Sequence, residues 1–253
     1  LLSANPVKDE GELKDVVRAA SLGDFNEYIT DKSNKYGQTN AKTEADFKAN
    51  GLNFEQWNKP DIPNQEFEVA GKKCHIKMWD RNPQEDMFLG SKTNCCTALD
   101  RTNGGSMAIY MLNKSYQVIE LYNSNGDVVG MSRVFMAKID GKPTLMMDNI
   151  ELNKEFIKNM NFNEELKDIR DNFFQYMNKY AEKITGQKDA KVLFYANDHH
   201  VPIADLKPII KETDFIGSIH RDEVYINAAH LSYQNPAKLK DVQNIKWLEV
   251  PKN

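Results

Sequence analysis

The chain has 253 residues, 40% hydrophobic and 28% charged, enough to bury a sizeable core around one main domain. A formal net charge of -4 leaves no broad positive field for counterion release, so no nucleic-acid partner is expected. No apolar run approaches the roughly 20 residues that cross a bilayer as a helix, so no membrane partner is expected either.

Leu1 stands where Met would begin a primary product, and the expectation is a removed leader or a longer parent protein or assembly. From Glu10 to Leu22 the apolar residues Leu13, Val16, Val17 and Ala20 keep the spacing of one helical face, with Gly23 as the stop. The stretch 31–63 is rich in Asn, Lys, Gln and Gly and predicts a helix only over Thr43–Asn50, ended by Gly51. Residues 1–64 therefore read as a helical or irregular appendage, and 65–253 as the α/β domain.

Gln65–Ala70 and Lys73–Trp79 alternate around Gly71-Lys72 and predict a hairpin. Asp80–Thr93 is polar and loop-like, and Ser106–Lys114 carries Met107, Tyr110 and Met111 on one helical side. Strands are expected over Gln117–Tyr122, Val128–Lys138, with Gly130 marking a bulge, and Thr144–Leu152, joined by short Gly-containing turns as an antiparallel meander. The period then changes: Leu166, Ile169, Phe173, Met177, Tyr180 and Ile184 recur every three or four residues, capped near Asn161 and Glu164 and stopped by Gly186. A strand over Lys191–Ala196 follows, most simply parallel to Thr144–Leu152 through a right-handed crossover. A short helix opening at Pro202 and two late strands, Asp214–Ile219 and Glu223–Asn227, complete the reading. The fold class is α/β (α+β): a mixed, mostly antiparallel sheet with one parallel strand pair and flanking helices.

This order, together with Asp127-Val-Val-Gly-Met-Ser-Arg-Val-Phe135 and Leu145-Met-Met-Asp-Asn-Ile-Glu-Leu152, resembles the core of the GNAT superfamily of N-acyltransferases over roughly residues 105–230. The resemblance implies an acyl-CoA donor, an amine or peptide acceptor, and a cofactor segment at Asn153, Lys154 and Lys158. That family holds the CoA pyrophosphate on a glycine-containing loop at a helix N-terminus. Here Asn153–Phe162 has no glycine, so CoA is expected to bind weakly.

If the two strands are parallel neighbours, their carboxyl ends bring Asp148, Asn149 and Glu151 toward Asn197, Asp198, His199 and His200. Glu151 would orient or deprotonate an amine, and a neighbouring imidazole would act as acid or base. The plainer alternative makes Asp198 a helix cap and Glu151 a solvated strand end. Cys95 or Cys96, partnered by His199 or His200 and Asp198, would make a cysteine-dependent hydrolase or transferase, although free cysteines are more often buried. Cys74, Cys95 and Cys96 form no disulfide framework and fit a reducing, cytoplasmic setting. Adjacent Cys-Cys and His-His pairs lack zinc-ligand spacing, so no metal is expected. Acyl transfer to a small molecule or peptide, a non-catalytic module binding such a ligand, and cysteine chemistry all stand open.

Overall fold

The computed structural model describes residues 25–81, 86, 88–95, 110–195, 200–217 and 244–252. The expected helix over Glu10–Leu22, most of that over Ser106–Lys114, the strand over Glu223–Asn227, and Cys96, Asp198 and His199 lie outside them. Among the described residues the helices are α1 (Phe25–Ala49), α2 (Phe54–Asn58), α3 (Leu89–Thr93), α4 (Lys154–Ile157) and α5 (Glu165–Thr185). The strands are β1 (Gln65–Val69), β2 (Lys72–Met78), β3 (Gln117–Asn123), β4 (Val128–Ile139), β5 (Lys142–Met147), β6 (Glu151–Leu152), β7 (Lys191–Phe194), β8 (Lys207–Glu212), β9 (Asp214–Ile216) and β10 (Asn244–Glu249).

These strands form one sheet in the order β1-β2-β3-β4-β5-β7-β10-β8, with β6 and β9 both pairing β4. Every pairing is antiparallel except β5 with β7, where Thr144 faces Lys191 and Met147 faces Phe194. The expected mixed sheet with one parallel pair is thus present. The crossover between its two parallel strands is α5, whose Leu166, Ile169, Phe173, Met177, Tyr180 and Ile184 are buried as their spacing requires. Each such apolar side chain contributes about 1.5–3 kcal/mol through burial. The helix packs across β1, β2, β5 and β7. Gly186 ends it in the left-handed conformation, with its N–H on Glu182 O.

Several boundaries differ from the sequence reading for local reasons. The first hairpin turns at Ala70-Gly71, one residue earlier than expected, with φ of 52° and 71°. A two-residue turn with both central residues left-handed matches the strand twist, which outweighs the strain of placing Ala there. Helix α1 starts well before Thr43, because tertiary contact stabilises a stretch of weak propensity: Phe47 is fully buried against Phe54 and Trp57. In place of a helix at Pro202, residues 200–206 are irregular and lead into β8. Pro208 is tolerated there because β8 ends the sheet order as an edge strand.

Two bulges shape β4. Leu121 pairs with Gly130 and Tyr122 with Val128, so Val129 is the extra residue, next to the glycine that marked the site. On the other edge Val134 pairs with Met147 and Met131 with Glu151. Between these pairs β4 advances three residues (134 to 131) and its partner four (147 to 151). The expected single strand over Thr144–Leu152 is therefore split at Asp148–Ile150.

At Gly130 an added Cβ would lie 2.7 Å from Leu152 Cδ2 and 3.2 Å from Leu121 Cβ, both fully buried residues. Gly130→Ala should lower unfolding stability by about 1–3 kcal/mol through overpacking. Urea denaturation should show a lower midpoint at unchanged slope; an unchanged midpoint would mean that β6 moves away freely.

Candidate functional site

The bulge places its groups where the parallel strands part. Tyr195 N–H still bonds Met147 O at 2.7 Å, the last described rung of the parallel pair. Beyond it, Leu152 N–H donates to His200 Nδ1 at 2.9 Å. A ring nitrogen that accepts this bond carries no proton, so the imidazole proton sits on Nε2. Nε2 in turn lies 3.9 Å from Glu151 Oε2. Both side chains are partly exposed, 19% for His200 and 24% for Glu151, so solvent and solutes reach them. The structure thus brings Glu151 and His200 together, as the parallel pairing predicted.

His200 is held by α5. Arg170, 1% exposed, reaches across to donate to Pro202 O and, in a fork, to Asp205 Oδ1 at 2.6 Å and Oδ2 at 2.9 Å. Asp171 shares the same guanidinium. The Arg170 hydrogen bond holds the Asp205 carboxyl below its ordinary range.

Beneath this pair lies a buried polar cluster. Arg133, on β4, donates through Nη2 to Cys95 Sγ at 3.2 Å and sets Nη1 3.7 Å from Asp148 Oδ2. Its guanidinium stacks 4.6 Å from the centre of the Tyr110 ring. Cys95, Arg133 and Asp148 are 2%, 5% and 6% exposed. Burial works against the charge on Arg133, but Cys95, Tyr110 and Asp148 outweigh it and keep the guanidinium above its ordinary range. For Asp148 burial wins over Arg133 and pushes the carboxyl up to about 7. Its Oδ1 has no hydrogen-bond partner among the described residues.

The proposed cofactor residues and several other buried or polar side chains have structural duties. Asn153 caps α4, its Oδ1 accepting from Glu155 and Phe156 N–H while Nδ2 donates to Lys92 O. Lys158 pairs with Glu155 at 3.3 Å, and Lys154 is exposed. Trp79 donates to Gln117, and Arg81 packs on the Trp79 ring while donating to the carbonyls of Tyr110, Met111 and Tyr116. Glu120 shares a row with Met131 and Glu151 across β3, β4 and β6. It is 1% exposed, accepts from Tyr122 Oη and is raised by burial.

Arg133 was missed in the sequence, although an Arg within the run Met-Ser-Arg-Val-Phe of a largely apolar strand was the available signal. No described group of three or more His, Cys, Asp or Glu side chains could hold a metal ion, and no described helix is long and apolar enough to cross a membrane. No protein-family model matches this chain, and no curated protein is significantly similar to it.

Asp148 carries a pH signature. Its native carboxyl keeps its proton up to about pH 7, whereas in the unfolded chain it ionises near pH 4. The stability this contributes is complete below the unfolded value and is lost as pH rises through about 7. Relative to Asp148→Asn, the wild type should lose roughly 2–4 kcal/mol between about pH 4.5 and pH 8. Parallel denaturation curves for both proteins would read this difference, and a constant gap across that range would rule it out.

Proposed function

We propose that the protein is a GNAT-like N-acyltransferase that moves an acyl group from a thioester donor to the amine of a small molecule or peptide. The observation that carries the reading is the partly exposed Glu151–His200 pair at the carboxyl end of the parallel strands, with the imidazole oriented by Leu152 N–H. The strand order and the split between β5 and β6 support it, since they open the sheet where an extended donor would lie.

In this reading Glu151 takes a proton from the acceptor ammonium, directly or through one water. The freed amine attacks the thioester carbonyl, the C–S bond breaks, and the departing thiolate takes the proton that the new amide nitrogen sheds, leaving as a thiol. His200, its proton on Nε2, keeps the Glu151 carboxylate oriented and donates toward charge developing beside it. The donor is recognised chiefly through its acyl and thioester end. Asn153 is occupied as a cap, and the segment after β6 offers no glycine nest for a pyrophosphate. The described cysteines, Cys74 and Cys95, are buried and outside any disulfide, which fits a reducing, cytoplasmic setting.

Donor use and the base can be tested together. Acetyl-CoA and the acetyl thioester of N-acetylcysteamine should serve a panel of amines and peptides with kcat/KM within about ten-fold of each other, the CoA nucleotide adding little. Glu151→Gln should lower kcat/KM by roughly 10²–10⁴ at unchanged fold. Acyl transfer that survives this substitution would remove Glu151 as base, and wild-type protein that binds the amines without transferring to them would make the cleft a binding module.

A further inference from the structure

Cys74 and Cys95 are equally buried, at 2% exposure, yet stand in opposite electrostatic settings. Cys74 Sγ faces the carbonyl of Lys72 at 3.6 Å, and burial pushes its thiol up to about 11 despite nearby Lys72. Cys95 Sγ instead receives an N–H from a buried guanidinium at 3.2 Å. A guanidinium in a low-dielectric interior requires a compensating anion. Among the described residues, Cys95 meets the guanidinium in direct contact and Asp148 at the longer distance of 3.7 Å. Asp148 retains an oxygen, Oδ1, that is buried and has no hydrogen-bond partner among the described residues, on the carboxylate that faces the same guanidinium.

We propose that Cys95 is a thiolate nucleophile toward hydroperoxides, held in its anionic form by Arg133 and served by Asp148 as proton donor. The thiolate sulfur attacks one peroxide oxygen, the O–O bond breaks, and the sulfur is oxidised to a sulfenic acid while the peroxide is reduced. The departing hydroxide takes the Asp148 proton and leaves as water, or as an alcohol from an organic peroxide. The resulting carboxylate then faces Arg133 in place of the thiolate, so the buried guanidinium keeps an anionic partner throughout. Among the described residues, Tyr110 over the guanidinium and Tyr195 and Glu151 near Asp148 also face the cluster. A sulfur this deeply placed admits only a small reagent, and hydrogen peroxide is one. The inference does not depend on acyl transfer.

The test treats the whole protein carrying Cys96→Ser, so that the peptide holding Cys95 has one thiol, with hydrogen peroxide at pH 7. After a timed exposure catalase removes the peroxide, dimedone added with denaturant traps the sulfenic acid, and peptide mass spectrometry reads each site. Cys95 should be labelled about ten-fold or more faster than Cys74. Arg133→Met should bring it down to the Cys74 rate. Asp148→Asn should slow peroxide labelling by about ten-fold while leaving alkylation by iodomethane, a similarly small reagent, nearly unchanged, because iodide leaves without a proton and hydroxide does not. Equal labelling of Cys74 and Cys95 in the parent protein would overturn the proposal even if the Arg133 variant fails to fold. Equal loss of both reactions in Asp148→Asn would remove its role as proton donor.

Discussion

Between Met147 and Glu151 the chain takes four steps while β4, from Val134 to Met131, takes three. That single extra residue cannot be absorbed in the ladder, so Asp148–Ile150 leave it and β6 resumes the pairing in a new phase. In register, Asp148–Ile150 would continue the ladder along β4 and join β5 to β6 as one strand. Out of register, Leu152 N–H finds His200 instead of a strand carbonyl, and Glu151 reaches the same imidazole. The extra residue also lets Asp148 keep one backbone bond, its N–H on Arg133 O, while its side chain turns toward the Arg133 guanidinium.

A buried arginine constrains its surroundings more than any apolar residue at the same place would. It cannot shed its proton, so its partners adjust. Around Arg133 the adjustment is distributed over the Tyr110 ring, which takes one face of the guanidinium, and over Cys95 and Asp148, which compete for the role of counter-anion. Burial, with smaller contributions from Glu151 and Cys95, pushes the Asp148 carboxyl up to about 7 against the pull of Arg133. Glu151, only a short way along the same strand edge, differs because it is partly solvated. Two acids separated by two residues thus serve different purposes, one as a buried proton store and one as an exposed acceptor.

Much of this fold was legible because the periods were unambiguous. The buried face of α5 alternates by three and four residues over its length, and no strand pattern competes with it. From that helix and its flanking alternations the parallel pairing followed, and with it the meeting of Glu151 and His200. The split of the third core strand was not legible, because a bulge leaves no mark when the extra residue, among Asp148, Asn149 and Ile150, is an ordinary one. Strand β10 was also missed, although Ile245-Lys-Trp-Leu-Glu-Val is a strand-like run. Its partners β7 and β8 come from distant parts of the chain, and no local turn announces the pairing. The Arg133 cluster was beyond reach for a related reason: its contacts join residues 38 positions apart, Cys95 and Arg133, through tertiary placement alone.

What holds the exposed pair to its geometry is remote from it. Residues 200–206 have no regular structure to fix His200, and an irregular segment positions a side chain only if its backbone is tied elsewhere. Arg170 supplies that tie from the most regular element in the molecule: one guanidinium bonds the Pro202 carbonyl and forks onto Asp205, spanning the segment that begins at His200. On the other side, Asn153 caps α4 and donates to Lys92 O, locking the end of β6 to α3, whose next turn delivers Cys95. The imidazole and the thiol therefore depend on different anchors, Arg170 for one and Asn153 with Arg133 for the other. Loosening α5 would release His200 while leaving the Cys95–Arg133 contact in place, so the two chemistries can be lost separately even though one bulge brings them to the same end of the sheet.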